Sequence, residues 1–175
     1  MVPTFFIPAI SEDDSTAFQI QVYGEMNDES SLIITGYIDI EIEQSVYISL
    51  TLLRKQNIVV PNFLHIHFPD YNYMKCGISA SLGIYCSLYS ELQNRRTTKK
   101  YLATGEIDLN GDIEEIGDIN RKYALFKEGQ FDFFIVPQKM LNKNFPFLLA
   151  DSKVIGIQNI KEIDNIILWE DINEI

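Results

Sequence analysis

Residues 71–92 read YNYMKCGISASLGIYCSLYSEL, and Ser79 falls between small residues where a helical pattern begins. A serine at a helix start usually caps it, because its hydroxyl satisfies one of the orphan N–H groups there. The same position offers a nucleophile the helix dipole and nearby N–H groups that could hold an oxyanion. From Ser79 to Gln93, Leu82, Cys86 and Tyr89 form one apolar stripe, and Ile84, Leu88 and Leu92 form another. A helix apolar on two sides predicts burial.

Outward from this helix the pattern alternates between strand and helix. NFLHIHFP (62–69) predicts a strand ended by Pro69. EQSVYISLTLLRKQN (43–57) predicts an amphipathic helix with Val46, Leu50 and Leu53 inward. AFQIQVY (17–23) and SLIITGYI (31–38), joined by the turn-rich GEMNDES, predict a hairpin. Downstream, LATGEIDLNGDIEEIGD (102–118) alternates about Asn110-Gly111, a dipeptide suited to a tight hairpin. INRKYALFKEG (119–129) predicts a helix closed by Gly129. FDFFIVP (131–137) and SKVIGI (152–157) predict strands. NIKEIDNIILWEDI (159–172) predicts a terminal helix with Ile160, Ile163 and Ile167 inward. The fold class is α+β.

The 175 residues, 46% of them hydrophobic, suit one globular domain over 1–175 with a real core. A formal charge of −11 repels phosphate backbones and anionic lipid, which argues against nucleic acid and membrane as partners. Cys76 and Cys86 form no CxxC pair, so neither a zinc site nor a disulfide framework is expected. No apolar run reaches the roughly 20 residues of a membrane span, and MVPTFFIPAISEDD lacks the charged start of an export signal. The expected location is cytoplasmic.

If Ser79 is a nucleophile it needs a base. His65 and His67, the only histidines, both precede it, so the Ser–Asp–His order of α/β-hydrolases cannot form, and Ser81 stands where GxSxG needs glycine. A chymotrypsin-like order finds no carboxylate between histidine and serine except Asp70, almost adjacent to His67. The other base is a lysine whose burial disfavours its charge. Ile119, Lys122, Tyr123 and Phe126 fall at i, i+3, i+4 and i+7, so the inward stripe of the 119–129 helix includes Lys122. Lys75 sits in a loop, where solvation would keep it protonated, and Lys99 and Lys100 lie in a polar loop. Position alone leaves Lys122 open to a second reading, an apolar stem with its amine in water.

His65-Ile66-His67-Phe68-Pro69, Lys75-Cys76-Gly77-Ile78-Ser79-Ala80, Thr104-Gly105-Glu106, Ile116-Gly117 and Lys122 occur in an order and spacing that resemble the proteolytic domain of Lon peptidases. The family pattern is HxHxPxG, PKDGPSAG or a GDSAS variant, TGE, then IGG ahead of the lysine helix. The similarity runs from about Ala17 to about residue 170. It implies that Ser79 is the nucleophile and Lys122 its general base, and that the domain assembles into a homo-oligomer, commonly a six-membered ring. It also implies oxyanion donors at the Cys76 and Ser79 backbone amides, with Thr104, His65, His67 and Glu106 in supporting roles. Met74, Cys76 and Ile78 depart from the proline, aspartate and proline of the commoner motif, and Asp118 replaces the second glycine of IGG. Ser81 agrees with the GDSAS form. No GxxxxGK[ST] occurs in these residues, so ATP use through a P-loop is not expected.

No cofactor or metal is expected. His65 and His67 share a strand face but lack a third ligand nearby, which favours orienting or structural roles. In DLNGDIEE (108–115) Ile113 takes the position where a calcium loop needs glycine, so this stretch reads as a turn. The expected activity is a stand-alone, ATP-independent serine endopeptidase acting on flexible polypeptides, or on chains delivered by a separate ATPase or adaptor. The alternative is an inactive Lon-like scaffold that forms a ring or binds a partner.

Overall fold

The computed structural model describes residues 4–170. A five-stranded sheet runs in the order β10-β9-β6-β1-β2, formed by Val154–Ile157, Phe133–Pro137, Tyr101–Ala103, Phe5–Ile10 and Ser15–Phe18. Its strands are parallel except for β2, which turns back on β1. A second sheet holds β3 (Gln21–Glu25), β5 (Phe63–Phe68) and β4 (Ser31–Gly36), with β5 in the middle. The helices are α1 (Ile40–Lys55), α2 (Ser81–Leu92), α3 (Ile119–Glu128) and two short ones, α4 (Pro146–Ala150) and α5 (Ile163–Ile166). The mixed sheets and packed helices are the α+β architecture expected.

β9 shows where the core sits. Ile135 joins one buried cluster with Ile7, Leu50, Ile66 and Leu88, while Phe134 and Val136 join a second with Leu102, Ile119 and Phe126. A strand covered on both faces needs a continuous apolar run, and FFIVP supplies one. α2 lies so close to β1 that a Cβ on Gly83 would meet Ile7 Cγ1 at 2.5 Å, so only glycine fits there. On the other side, Phe126 of α3 stacks on Phe134 at 5.3 Å. These two contacts clamp α2 and α3 to the same sheet, and Ser79 and Lys122 ride on them.

Three expectations need correction. The hairpin over 17–38 does not form: its first half splits into β2 and β3, which enter different sheets, and β5 separates β3 from β4. β5 pairs antiparallel with β3 and parallel with β4, because the chain crosses over through α1 before returning. Two-residue alternation fixes a strand's faces but not its neighbour. The terminal helix shrinks to a 3-10 turn at Ile160–Glu162 and one turn of α5. The chain then extends, held by the Leu168 N–H bond to the Tyr101 hydroxyl at 2.9 Å and by Trp169 against Phe5 and Tyr89. Ile160, Ile163 and Ile167 are buried as expected, and residues 171–172 of that prediction lie outside the described residues. The long hairpin over 102–118 is reduced to β7 (Glu106–Ile107) and β8 (Ile113–Glu114), since β6 leaves for the large sheet. In its turn, Asp108 Oδ1 accepts the Asn110 and Asp112 N–H groups at 2.8 and 3.0 Å, which makes it a turn-former.

β1 was not anticipated, because Pro8 breaks its pattern. β6 pairs with β1 only at Phe5 and Phe6, so Pro8 owes no donor on that side.

Candidate active site

Ser79 lies in a 3-10 turn, Ile78–Ala80, that leads into α2. Gly77 precedes the turn with φ +97°, a conformation that favours glycine. The turn is gripped from the segment joining β6 to β7. The Gly105 N–H donates to the Ser79 carbonyl at 2.9 Å, and the Leu82 N–H donates to the Gly105 carbonyl at 3.1 Å. The Ser81 hydroxyl donates to the Gly105 carbonyl at 3.0 Å and accepts the Ile107 N–H at 2.9 Å. Ser79 is thereby held by its backbone, which leaves its side chain free. Its hydroxyl makes no capping bond to either the turn or α2, so the capping expectation is not met.

That hydroxyl accepts a hydrogen bond from Lys122 Nζ at 3.1 Å. Lys122 is 5% exposed, so the snorkelling alternative does not describe it. Burial pulls its pKa down to about 8 against a partly opposing pull from the Asp118 carboxylate. About a tenth of such amines are unprotonated at pH 7, and half at pH 8. Asp118 sits just before α3 with φ +56° and ψ +28°, the left-handed region. Aspartate is one of the few residues besides glycine that tolerates it, so the chain enters α3 without the glycine of the family motif.

Of the supporting residues, Thr104 is fully buried, but its hydroxyl points to the Ser79 carbonyl at 3.4 Å, not to the Lys122 amine. His65 and His67 bond a shared partner, the Thr35 hydroxyl, at 2.9 Å (Nε2) and 2.7 Å (Nδ1). A hydroxyl has one proton, so at least one imidazole must donate to it. Neither histidine hydrogen-bonds Ser79 or Lys122, and the Glu106 carboxylate has no side-chain bond among the described residues. Among the described residues, no group of three or more His, Cys, Asp or Glu converges as a metal site would.

The loop before Ser79 holds what sequence reasoning missed. Lys75 is fully buried, not solvated: its ammonium lies 4.4 Å from the Tyr73 ring centre and donates to the Asp70 carbonyl. Desolvation lowers its pKa, while the Asp70 charge opposes the shift. Asp39 caps α1 through Oδ1, which accepts the Ile42 N–H at 2.9 Å, and its Oδ2 accepts the Gly77 N–H at 3.2 Å. Cys76 is free and exposed, its thiol pushed up by partial desolvation and by the Asp39 and Glu41 carboxylates. Among the described residues neither the Cys76 nor the Ser79 N–H meets a backbone acceptor. The only sequence signal for Asp39 was an acidic residue ahead of an amphipathic run, a common N-cap pattern.

A half-buried serine against a buried lysine, beside two unclaimed N–H groups and framed by a TGE segment, is suited to acyl transfer. The sequence profile of the Lon protease (S16) C-terminal proteolytic domain matches residues 16–170. The chain belongs to this family. It is 30% identical over 150 residues to a Lon protease of Fervidobacterium nodosum, covering 80% of this chain and 18% of that protein. Against a Lon protease of Aster yellows witches'-broom phytoplasma the identity is 27% over 146 residues, 77% of this chain and 18% of the relative. A Lon protease of Endomicrobium trichonymphae is 29% identical over 114 residues, 60% of this chain and 14% of the relative. The chain thus spans less than a fifth of the length of these curated relatives. Family membership supports a serine peptidase of the hydrolase class. No helix among the described residues is long and apolar enough to cross a membrane.

Proposed function

We propose that this chain is a Lon-like serine endopeptidase that cleaves flexible polypeptides with Ser79 and Lys122 and needs no nucleotide to do so. The observation that carries the reading is the 3.1 Å contact between Lys122 Nζ and Ser79 Oγ in a site where the lysine is 5% exposed. Ser79 Oγ attacks the peptide carbonyl carbon while the neutral Lys122 amine takes its proton. The oxyanion rests on the Cys76 and Ser79 N–H groups. As the C–N bond breaks, the Lys122 ammonium protonates the leaving amine. A water then attacks the acyl-enzyme, gives its proton to Lys122, and the proton returns to Ser79 Oγ as the acid product leaves.

These 175 residues contain no GxxxxGK[ST], so the proposal is that they cleave without nucleotide of their own. Substrates are then already unfolded, or are delivered by a separate ATPase or adaptor. A ring of copies, six-membered by family resemblance, and a cytoplasmic setting belong to the same proposal. An inactive scaffold would have no use for a lysine held against a serine at the cost of burying its charge. The test is cleavage of casein by the parent, Ser79→Ala and Lys122→Ala, with and without ATP and Mg²⁺, alongside light scattering for the assembly. Cleavage by the parent alone, indifferent to ATP, is expected. Equal activity in parent and variants overturns the reading.

A further inference from the structure

The two segments that flank the start of α1 and the Ser79 turn are laced together edge to edge. The Lys75 N–H donates to the Tyr37 carbonyl at 2.9 Å, and the Asp39 N–H donates to the Lys75 carbonyl at 3.0 Å. The next N–H on that edge of the loop belongs to Gly77, and the Asp39 carboxylate takes it at 3.2 Å. Backbone N–H groups alternate in direction along an extended segment. With those of residues 75 and 77 both bound to the 37–39 segment, the intervening Cys76 N–H is left on the opposite edge, where it has no backbone acceptor among the described residues.

The Asp39 side chain is itself fixed, because its other oxygen caps α1 at the Ile42 N–H. A carboxylate anchored to a sixteen-residue helix therefore holds one end of the Cys76–Gly77 peptide. That peptide needs holding. Gly77 adopts φ +97°, a Cβ there would meet nothing nearer than Ser79 Oγ at 3.9 Å, and glycine offers little resistance to rotation of the peptide plane.

We propose that Asp39 is a positioning residue for peptide-bond cleavage: by gripping the Gly77 N–H it anchors the chain between the two oxyanion donors, the Cys76 and Ser79 N–H groups, and so fixes their spacing. The inference rests on the peptidase reading above and adds a residue to it. Asp39 touches neither substrate nor the reacting atoms. Its effect is on the donor geometry that an enzyme needs when negative charge develops on the carbonyl oxygen, so it belongs to kcat and not to substrate binding.

Asp39→Asn and Asp39→Ser test it. Asparagine has one acceptor oxygen and can satisfy only one of the two N–H groups, while serine can still cap α1 but is too short to reach Gly77. Glu43→Gln, which removes a charge from the same helical turn, is the control. The measurements are kcat and KM on a flexible peptide, inhibition by a peptide aldehyde, Tm, and fluorophosphonate labelling of Ser79. Both Asp39 variants should melt within a few degrees of the parent, keep its KM and the midpoint of its pH profile, and lose at least tenfold in kcat. Aldehyde affinity should fall by a similar factor, because its adduct places an oxyanion in the same hole. The control should match the parent. A kcat within twofold of the parent in both variants, or a loss confined to KM or to the folded fraction, overturns the role of Asp39. A parent that the probe never labels at Ser79 overturns the peptidase reading itself, and this inference with it.

Discussion

Lys122 Nζ and Ser79 Oγ meet at 3.1 Å although 43 residues separate them in the chain, because α2 and α3 pack on the same sheet. The cost of that meeting is a buried amine whose pKa falls to about 8.

Peptidase activity should accordingly rise with pH through a midpoint near 8, as Lys122 loses its proton. Histidine catalysis would plateau close to neutral pH. The double change His65→Ala, His67→Ala should lower stability, since both rings are bound to Thr35, yet keep the alkaline rise. Initial rates on a flexible peptide at constant ionic strength, from pH 6 to 10, decide between the two bases. Loss of the rise with the histidines would remove Lys122 from its role.

The same amine should weaken the fold. A lysine whose folded pKa lies below its unfolded value penalises the folded state at every pH below the folded value, and the penalty fades as pH climbs to the unfolded one. Here the penalty is present in full below about pH 8 and disappears towards 10.5. Two and a half pKa units correspond to about 3 kcal/mol, less whatever the bond to Ser79 contributes. Lys122→Met should therefore be inactive but melt several degrees above the parent at pH 7, with the gap closing above pH 10. Thermal melts at the two pH values provide the check, and an equal or lower Tm at pH 7 would contradict the argument.

How much of this was legible in the sequence depended on whether a feature was local. α3 appears almost where its apolar stripe placed it, Ile119–Glu128 with Gly129 after it, because periodicity and a terminating glycine are local signals. Burial of Lys122 was half legible: the stripe put the stem inward, but only the packing of α3 on the sheet says where the amine goes. The partners of β3 and β4 were not legible, since pairing is settled by the crossover through α1. Nor was Lys75, whose burial depends on Phe18 and Tyr73 closing over it from different segments. Ser81 was legible as a departure from GxSxG and a match to the GDSAS form, but neither motif says that it ties α2 to β7.

That tie should be worth measuring. Ser81 is fully buried and satisfies both the Gly105 carbonyl and the Ile107 N–H. Alanine in its place leaves the Ile107 N–H without its acceptor, while the Gly105 carbonyl keeps the Leu82 N–H at 3.1 Å. One orphaned buried donor costs about 1–3 kcal/mol. Ser81→Ala should lose that much unfolding free energy, read as a lower urea midpoint at unchanged m-value, together with a reduced rate, because Gly105 also holds the Ser79 carbonyl. A midpoint equal to the parent's would mean that the hydroxyl's two bonds contribute nothing net.

Asp118 offers a way to tune the site without touching it. Its carboxylate is exposed and, among the described residues, is the charge that holds the Lys122 pKa up against desolvation. Its backbone is left-handed, so the replacement must tolerate φ +56°. Asparagine satisfies both conditions, keeping the conformation and losing the charge. In Asp118→Asn the midpoint of the pH–rate profile should move to lower pH, because the ammonium loses a favourable neighbour and releases its proton more readily. The fraction of neutral amine at pH 7, and with it the rate there, should increase. The shift should shrink as salt is raised, since an exposed charge acts through solvent and is screened within about 10 Å at 0.1 M. Asp118→Val separates charge from backbone: a β-branched residue in the left-handed region should cost about 1–2 kcal/mol of stability on top of the same change in charge. Profiles of the parent and the asparagine variant at low and high salt are the measurement, and a midpoint that moves upward, or does not respond to the substitution at low salt, would show that Asp118 does not set the basicity of Lys122.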